Sequence, residues 1–335
     1  MQTIRARAPV RFCDLGGWTD TRLVPSGAVL SFCAALYTHV TLQVGATPGI
    51  SIESFDTGEQ THLADIRQIE YDSVLDLFKA ALKRHGAGIK QGVRLLVRSD
   101  APPGSGLGSS AALGVATVAA LAAQLRWGLL PYELARESQA LETEELCLEC
   151  GVQDQLASAY GGVNFMEVTY PDARVLPVPL DPGTLCELED RFVLVYTGKS
   201  HFSSAMHEKV IAEYEADRNR HLFQRLAECA VHGKQALLSG SLTAFAEAMN
   251  ANWEAQKALH PDITTPEIEA LYEKSRAAGA MGFKANGAGG GGTVTLLAEP
   301  NRDHEVRRAV TELGMTVLPS KIDTTGLQVW QRDER

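Results

Sequence analysis

The segment Pro102-Pro103-Gly104-Ser105-Gly106-Leu107-Gly108-Ser109-Ser110-Ala111-Ala112 combines three alternating glycines with two adjacent hydroxyls. It follows a β-branched and apolar run, Val93 to Val97, and opens the long apolar stretch Ala111 to Leu125. A strand, a loop and a helix are therefore expected in that order. The glycines let the backbone approach a ligand closely and adopt positive φ. The first turn of the following helix offers N–H groups without intrahelical partners and the positive end of the dipole. Such a site suits a phosphate, and Ser109 and Ser110 add oxygens for a phosphate or a magnesium ion. No Gly-Lys-Ser/Thr closes the loop, so it is not a Walker P-loop. A plain turn with an N-cap serine is the bland alternative. A second glycine run, Gly287 to Gly292, also permits close backbone approach, or forms only a hairpin loop. Cys147 and Cys150 form one C-x-x-C, with no second pair at zinc spacing, and the nine His residues include no H-E-x-x-H. Buried thiols are expected there rather than a metal or redox centre.

These residues need a frame. The first 50 residues read as strands, with Val29 to Phe32 and Thr38 to Val44 the clearest segments. Tyr71 to His85 has apolar residues at helical spacing and ends at Gly86 and Gly88. Helices are expected over Pro131 to Glu149, over Val152 to Tyr160 and over Val306 to Leu313, and strands over Arg191 to Tyr196, Thr293 to Ala298 and Leu327 to Trp330. From Ser203 to Gly279 the periodicity is mostly helical, with breaks near Ser239-Gly240-Ser241 and His260-Pro261. Four prolines, at 171, 177, 179 and 182, make residues 171–190 the linker candidate.

The chain has 335 residues, 45% of them hydrophobic and 21% charged, which excludes disorder as its main state. Its formal charge of −10 argues against nucleic acid as a partner, since neutralising phosphates needs a basic face. Six cysteines are too few for a disulfide framework. The first twelve residues carry three arginines and no apolar h-region, and the stretch Ala111 to Leu125 is too short to span a bilayer. No membrane association and a cytoplasmic location are the expectations.

Three motifs in order carry a resemblance to the GHMP kinases, which include galactokinase, homoserine kinase and mevalonate kinase. They are Ala8-Pro9-Val10-Arg11-Phe12 with Leu15-Gly16-Gly17-Trp18-Thr19-Asp20, then the loop above, then Asn286-Gly287-Ala288-Gly289-Gly290-Gly291-Gly292. The similarity runs from about residue 4 to residue 330. Within that family the chain is most similar to sugar 1-kinases of the heptose 7-phosphate kinase and fucokinase group. Gly16-Gly17-Trp18-Thr19-Asp20 resembles their G-G-x-[ST]-D element. Gly151-Val152-Gln153-Asp154-Gln155 through Tyr160-Gly161-Gly162-Val163-Asn164 resembles their G-x-Q-D-Q…GG-x-N element, and Tyr196-Thr197-Gly198 with Ser203-Ser204 a further shared stretch. The resemblance implies an α+β, two-lobed fold: residues 1–185 as a lobe like domain 2 of ribosomal protein S5, residues 186–335 as a ferredoxin-like lobe, and ATP between them.

It also implies roles. Asp154 would orient or deprotonate the accepting hydroxyl, although an Asp there also suits a helix start. Arg11 would lower the nucleophile's pKa or hold transition-state charge, the alternative being a surface ion pair. ATP would lie on Pro103, Gly104, Ser105, Gly106, Leu107, Gly108, Ser109, Ser110 and Ala111. Mg²⁺ would be held by Ser110 and Glu142, with Glu144 and Glu145 as nearby alternatives. Asp20, Gly17, Trp18 and Thr19 would meet the sugar, Asp20 by accepting from two hydroxyls. Gly289 and Gly290 would shape the cleft. Lys199, His201 and Arg22 are the candidates for a substrate phosphate. The expected activity is ATP-dependent phosphorylation of an anomeric hydroxyl, with D-glycero-D-manno-heptose 7-phosphate converted to the 1,7-bisphosphate. An unphosphorylated sugar such as L-fucose is the alternative acceptor, and a sensor without turnover the reading from a different class. A monomer or homodimer is expected.

Overall fold

The computed structural model describes residues 2–45, 48–199 and 203–332. In chain order its elements are β1 (Gln2–Leu15), β2 (Gly27–Val44), β3 (Ile50–Ser54), β4 (Gln60–Leu63), α1 (Asp76–His85), β5 (Val93–Ser99), α2 (Ser109–Leu125), α3 (Pro131–Ala140), α4 (Gln153–Tyr160), β6 (Val163–Thr169), β7 (Asp172–Pro177) and α5 (Pro182–Arg191). Then come β8 (Phe192–Tyr196), α6 (Ser203–Glu215), α7 (Arg220–Leu238), α8 (Leu242–Lys257), α9 (Pro266–Ala278), β9 (Ala280–Ala285), β10 (Thr293–Ala298), α10 (Asp303–Glu312), β11 (Thr316–Leu318) and β12 (Gln328–Arg332).

Two sheets organise these elements. The first runs β12-β1-β2-β5-β3-β4, and β6 and β7 extend it from the other half of β2. The two halves of β2 differ in sequence and burial. From Leu36 onward buried and half-buried residues alternate, as they do where one sheet face is covered. From Ala28 to Ala34 every residue is buried, because α7 packs on the second face, where Gly233 admits Leu15 and Leu30. The second sheet is antiparallel, in the order β11-β8-β10-β9. A β-helices-β-β-α-β chain order with the fourth and first strands adjacent is the ferredoxin-like arrangement the resemblance implied. The last strand, β12, pairs with β1, so the first sheet draws on both ends of the chain.

Helix α2 is apolar on all sides, and it is buried between the first sheet, α1, α3 and α4. Burial of its N-terminal half fixes where the glycine loop must stop. The helix expected over Pro131 to Glu149 is shorter. α3 ends at Ala140, and one π-helical turn, Leu141–Glu145, follows. Residues 171–190 are no linker: β7 pairs with β6 in continuous register and α5 follows, capped by Asp181. Prolines are tolerated there because Pro182 takes the first helical position and β7 is an edge strand. Among the described residues no helix is long and apolar enough to cross a membrane.

Gly114 lets α2 and α3 approach closely, because a Cβ there would stand 2.4 Å from Ser138 Oγ. Replacing Gly114 with Val is expected to lower stability by about 1–3 kcal/mol, the usual cost of overpacking. Urea denaturation measures this, and an unchanged midpoint would contradict the packing described.

Candidate active site

β1 is irregular where chemistry is expected. Its register against β2 shifts between Phe12 and Leu15, and Cys13 has φ of 50°. A bulge of this kind re-aims side chains. It turns both Arg11 and Asp14 toward a cavity of about 240 Å³ between the lobes. Arg11 is buried, and its fork grips Asp154 through Nε to Oδ1 at 2.7 Å and Nη2 to Oδ2 at 3.0 Å. Its Nη1 donates to the Gly106 carbonyl, and its backbone N–H to the Leu107 carbonyl at 3.0 Å. Burial alone would lower the Arg11 pKa, but Asp154 and Asp14 outweigh it, and the guanidinium stays charged.

The glycine loop bends around this pair. Gly104, Gly106 and Gly108 all have positive φ, an alternation that turns successive N–H groups toward one concavity. A Cβ at Gly108 would lie 2.9 Å from Asp154 Oδ2, so only glycine lets the loop pass the carboxylate here. Gly108 caps α2, whose first turn begins at Ser109. Ser105 Oγ and Ser109 Oγ are buried there without a partner among the described residues, which leaves two hydroxyls to a ligand. Gly104, Ser105, Gly106, Gly108, Ser109, Ser110 and Ala111 line the cavity. Leu107 is instead buried in the first core, and Pro103 is exposed outside the lining.

The third glycine motif closes onto the first lobe. Asn286 Oδ1 accepts from Cys13 N at 2.9 Å, Gly287 N donates to Asp14 Oδ1 at 3.2 Å, and Thr293 Oγ1 donates to Ser105 O at 2.9 Å. Gly287 and Ala288 are the parts of this run that line the cavity. Gly289 and Gly290 pack instead on Ile263, whose carbonyl accepts from Gly290 N at 2.7 Å. Buried Lys284 stands 3.6 Å from Asp14 Oδ1, and burial pushes its pKa down.

Two further carboxylates are held deep in the cavity. The π-helical turn swings Glu142 inward, where Gln155 Nε2 donates to its Oε1 at 3.0 Å. Burial and the neighbouring charge of Asp154 push the Glu142 pKa up to about 7. Glu144 and Glu145 turn away from the cavity instead: Arg84 of α1 donates to Glu144 at 2.8 Å, and Tyr71, before α1, to Glu145 at 2.9 Å. Asp20 already has structural work. Its Oδ2 accepts from Val152 N at 2.9 Å and Gln153 N at 3.0 Å, so it caps α4 from a distant turn and fixes the start of the helix that carries Asp154. Gly151 makes room for it, since a Cβ there would lie 1.9 Å from Asp20 Oδ2. Asp20 Oδ1 is in contact with Gln153 Nε2 at 3.4 Å. Burial raises the Asp20 pKa to about 6.

Trp18 lines the cavity, packed against His207 of α6 with 4.8 Å between ring centroids. Thr19 does not reach the cavity: its hydroxyl donates to Gly16 O and braces the turn. Gly17 supports Asp14, where a Cβ would meet Oδ2 at 2.6 Å. Lys199 is outside the cavity lining, ion-paired with Glu267 at 2.5 Å, and Arg22 is paired with Glu149 at 2.7 Å on the rim. His201 lies outside the described residues. Cys150 lines the cavity as a free thiol that burial and the Glu142 and Asp154 carboxylates keep protonated. Among the described residues no cluster of three or more His, Cys, Asp or Glu could hold a metal by itself. Asp14, Glu149, Gln153, Gln155 and His207 also line the cavity and are not among the residues expected there, although Gln153 and Gln155 flank Asp154 in the G-x-Q-D-Q element.

The signature of the GHMP kinases N terminal domain matches residues 72–162, and that of the GHMP kinases C terminal region matches residues 234–314. Together they span more than half of the chain, and the chain belongs to the GHMP kinase family. It is 29% identical to a D-glycero-α-D-manno-heptose 7-phosphate kinase of Campylobacter jejuni, over 99% of this chain and 100% of that one. It is also 29% identical to a bifunctional fucokinase/GDP-fucose pyrophosphorylase of Arabidopsis thaliana, over 92% of this chain and 31% of that protein. The crystal structure of a D-glycero-D-manno-heptose 1-phosphate kinase from Bacteroides thetaiotaomicron superposes with a TM-score of 0.82 at 26% identity, covering 99% of this chain and 100% of that one.

Glu142 has a measurable consequence. In the unfolded chain its carboxyl ionises near 4.5, whereas in the fold it holds its proton to about 7. Between those values the folded state binds a proton that the unfolded state has lost, so stability without ligand falls as pH rises through that window. Glu142→Gln is expected to flatten this fall. Denaturation midpoints from pH 4.5 to 7.5 test it, and equal slopes in both proteins would refute the burial of that charge.

Proposed function

We propose that this protein is an ATP- and Mg²⁺-dependent sugar 1-kinase that phosphorylates the anomeric hydroxyl of D-glycero-D-manno-heptose 7-phosphate. The observation that carries the proposal is the two-pronged Arg11–Asp154 pair seated directly under the glycine loop. Phosphoryl transfer needs little covalent help from a protein, and depends on placement and charge. The partnerless Ser105 and Ser109 hydroxyls, the glycine concavity and the α2 N-terminus suit a triphosphate. Ser110 and Glu142 supply hard oxygen donors of the kind Mg²⁺ prefers. When bound, ATP supplies the phosphoryl group and Mg²⁺ neutralises its charge.

The chain's own residues do the rest. Asp154 orients the sugar hydroxyl and takes its proton as the oxygen bonds to the terminal phosphorus and the bond to ADP breaks. Arg11, already charged and buried, fixes the Asp154 carboxylate and offers a cation to the developing charge without reorganising. Asp20 Oδ1 is available to a second sugar hydroxyl. Heptose 7-phosphate is favoured by the similarity along the full chain to a kinase named for that substrate. An unphosphorylated sugar such as L-fucose is a second reading, favoured by the ion pairs that already engage Lys199 and Arg22.

Coupled ADP-release assays with heptose 7-phosphate, the free heptose and L-fucose separate the two, and turnover of free sugars alone would remove the heptose phosphate. Asp154→Asn is expected to lower kcat by about 10²–10⁴-fold, the usual worth of a positioned general base. Wild-type turnover in that variant would remove the proposed mechanism.

A further inference from the structure

We propose that Gln153 reads the sugar hydroxyl adjacent to the one phosphorylated, and so sets which sugars the site accepts; this rests on the sugar-kinase reading above. Gln153 is only 6% exposed, yet it lines the cavity. Its Nε2 lies 3.4 Å from Asp20 Oδ1, and its backbone N–H donates to Asp20 Oδ2 at 3.0 Å. That carboxylate decides which way the amide faces. Turned over, the amide would set oxygen against oxygen, so the nitrogen stays toward Asp20 and the acceptor is left over. Gly17 backs the nitrogen, where a Cβ would lie 3.3 Å away. The leftover Oε1 is buried and has no partner among the described residues.

A buried acceptor without a donor is unusual in folded proteins, and on a residue that lines an open cavity it can take its donor from the bound ligand. The donor must be a hydroxyl rather than a phosphate, since an ionised phosphate brings only acceptors. Asp20 Oδ1 and Gln153 Oε1 are two acceptors in the same corner, matched to the two donors of a vicinal diol. Residue 153 immediately precedes Asp154, the group proposed to hold the reacting oxygen. Neighbours on a helix do not share a face, but Asp20, which the amide touches, lies close enough to Asp154 to feel its charge, and the amide accordingly serves the hydroxyl beside the reacting one, that on C2. Gln155 repeats the pattern: its Nε2 holds Glu142, and its Oε1 is partnerless among the described residues.

The test compares kcat/KM for a sugar and its 2-deoxy analogue, using heptose 7-phosphate or L-fucose, whichever is turned over. In the wild type the 2-hydroxy sugar is expected to be favoured about tenfold or more, as a site built around a hydroxyl rejects the analogue that lacks it. In Gln153→Met, of similar length but without the acceptor, the preference is expected to shrink to about threefold or less, mainly through a raised KM for the hydroxylated sugar. Each ratio is taken within one protein, so a partly folded variant does not distort it. An equal preference in both proteins, or none in the wild type, overturns the role of Gln153 while leaving the kinase reading intact. No turnover of either sugar by a wild-type preparation that still shows a cooperative unfolding transition overturns both.

Discussion

A guanidinium taken out of water must be matched almost completely, because an uncompensated buried charge costs several kcal/mol. Arg11 meets that demand with the Asp154 carboxylate, the Gly106 carbonyl and the nearby Asp14 charge. Each partner comes from a different part of the chain, so the demand of one buried cation draws them together. The bulge in β1 aims the arginine, the loop before α2 supplies the carbonyl, and the start of α4 supplies the carboxylate. The turn after β9 closes behind them, with Gly287 so near Gly106 that a Cβ would meet its carbonyl oxygen at 2.8 Å. Glycines stand at these points because two backbones and a charged fork share a space with no room for side chains.

The electrostatics of the cavity run against its proposed ligand unless a cation comes with it. Asp14, Asp20, Glu142, Glu149 and Asp154 all line the space, and among the described lining residues the one arginine is already committed. The raised pKa values of Glu142 and Asp20 record this crowding and burial. A triphosphate entering such a site would meet repulsion, which a divalent ion on hard oxygen donors relieves. The proposed magnesium dependence thus follows from the charge balance as well as from family membership.

Much of this was legible in the sequence, and the parts that were not have physical reasons. The glycine loop could be read because its chemistry is local: alternating glycines before an apolar helix have few other uses. Helix α2 could be read from an apolar run too long for a strand, and α4 from its helical pattern. The β1 bulge could not be read, since a register shift exists only relative to a partner strand. The π-helical turn at Leu141–Glu145 has helical composition, and only its geometry separates Glu142 from Glu144 and Glu145. Asp20 reads as a sugar ligand in its motif, but its cap on α4 spans 132 residues of sequence. The prolines of residues 171–190 suggested a linker because a proline marks a helix start and an edge strand as readily as a loop. His207 arrives from α6, where nothing in its neighbourhood marks it.

The central claim is spatial: the loop presents a terminal phosphate to an alcohol oxygen held by Asp154. A crystal structure with a non-hydrolysable ATP analogue and an accepted sugar tests it most directly. The account predicts the triphosphate along Gly104 to Ala111, and the sugar's anomeric oxygen within about 3 Å of an Asp154 carboxylate oxygen, on the side facing the terminal phosphorus. A nucleotide bound away from the loop, or an anomeric oxygen turned from Asp154 while the Arg11 pair stays closed, would contradict it.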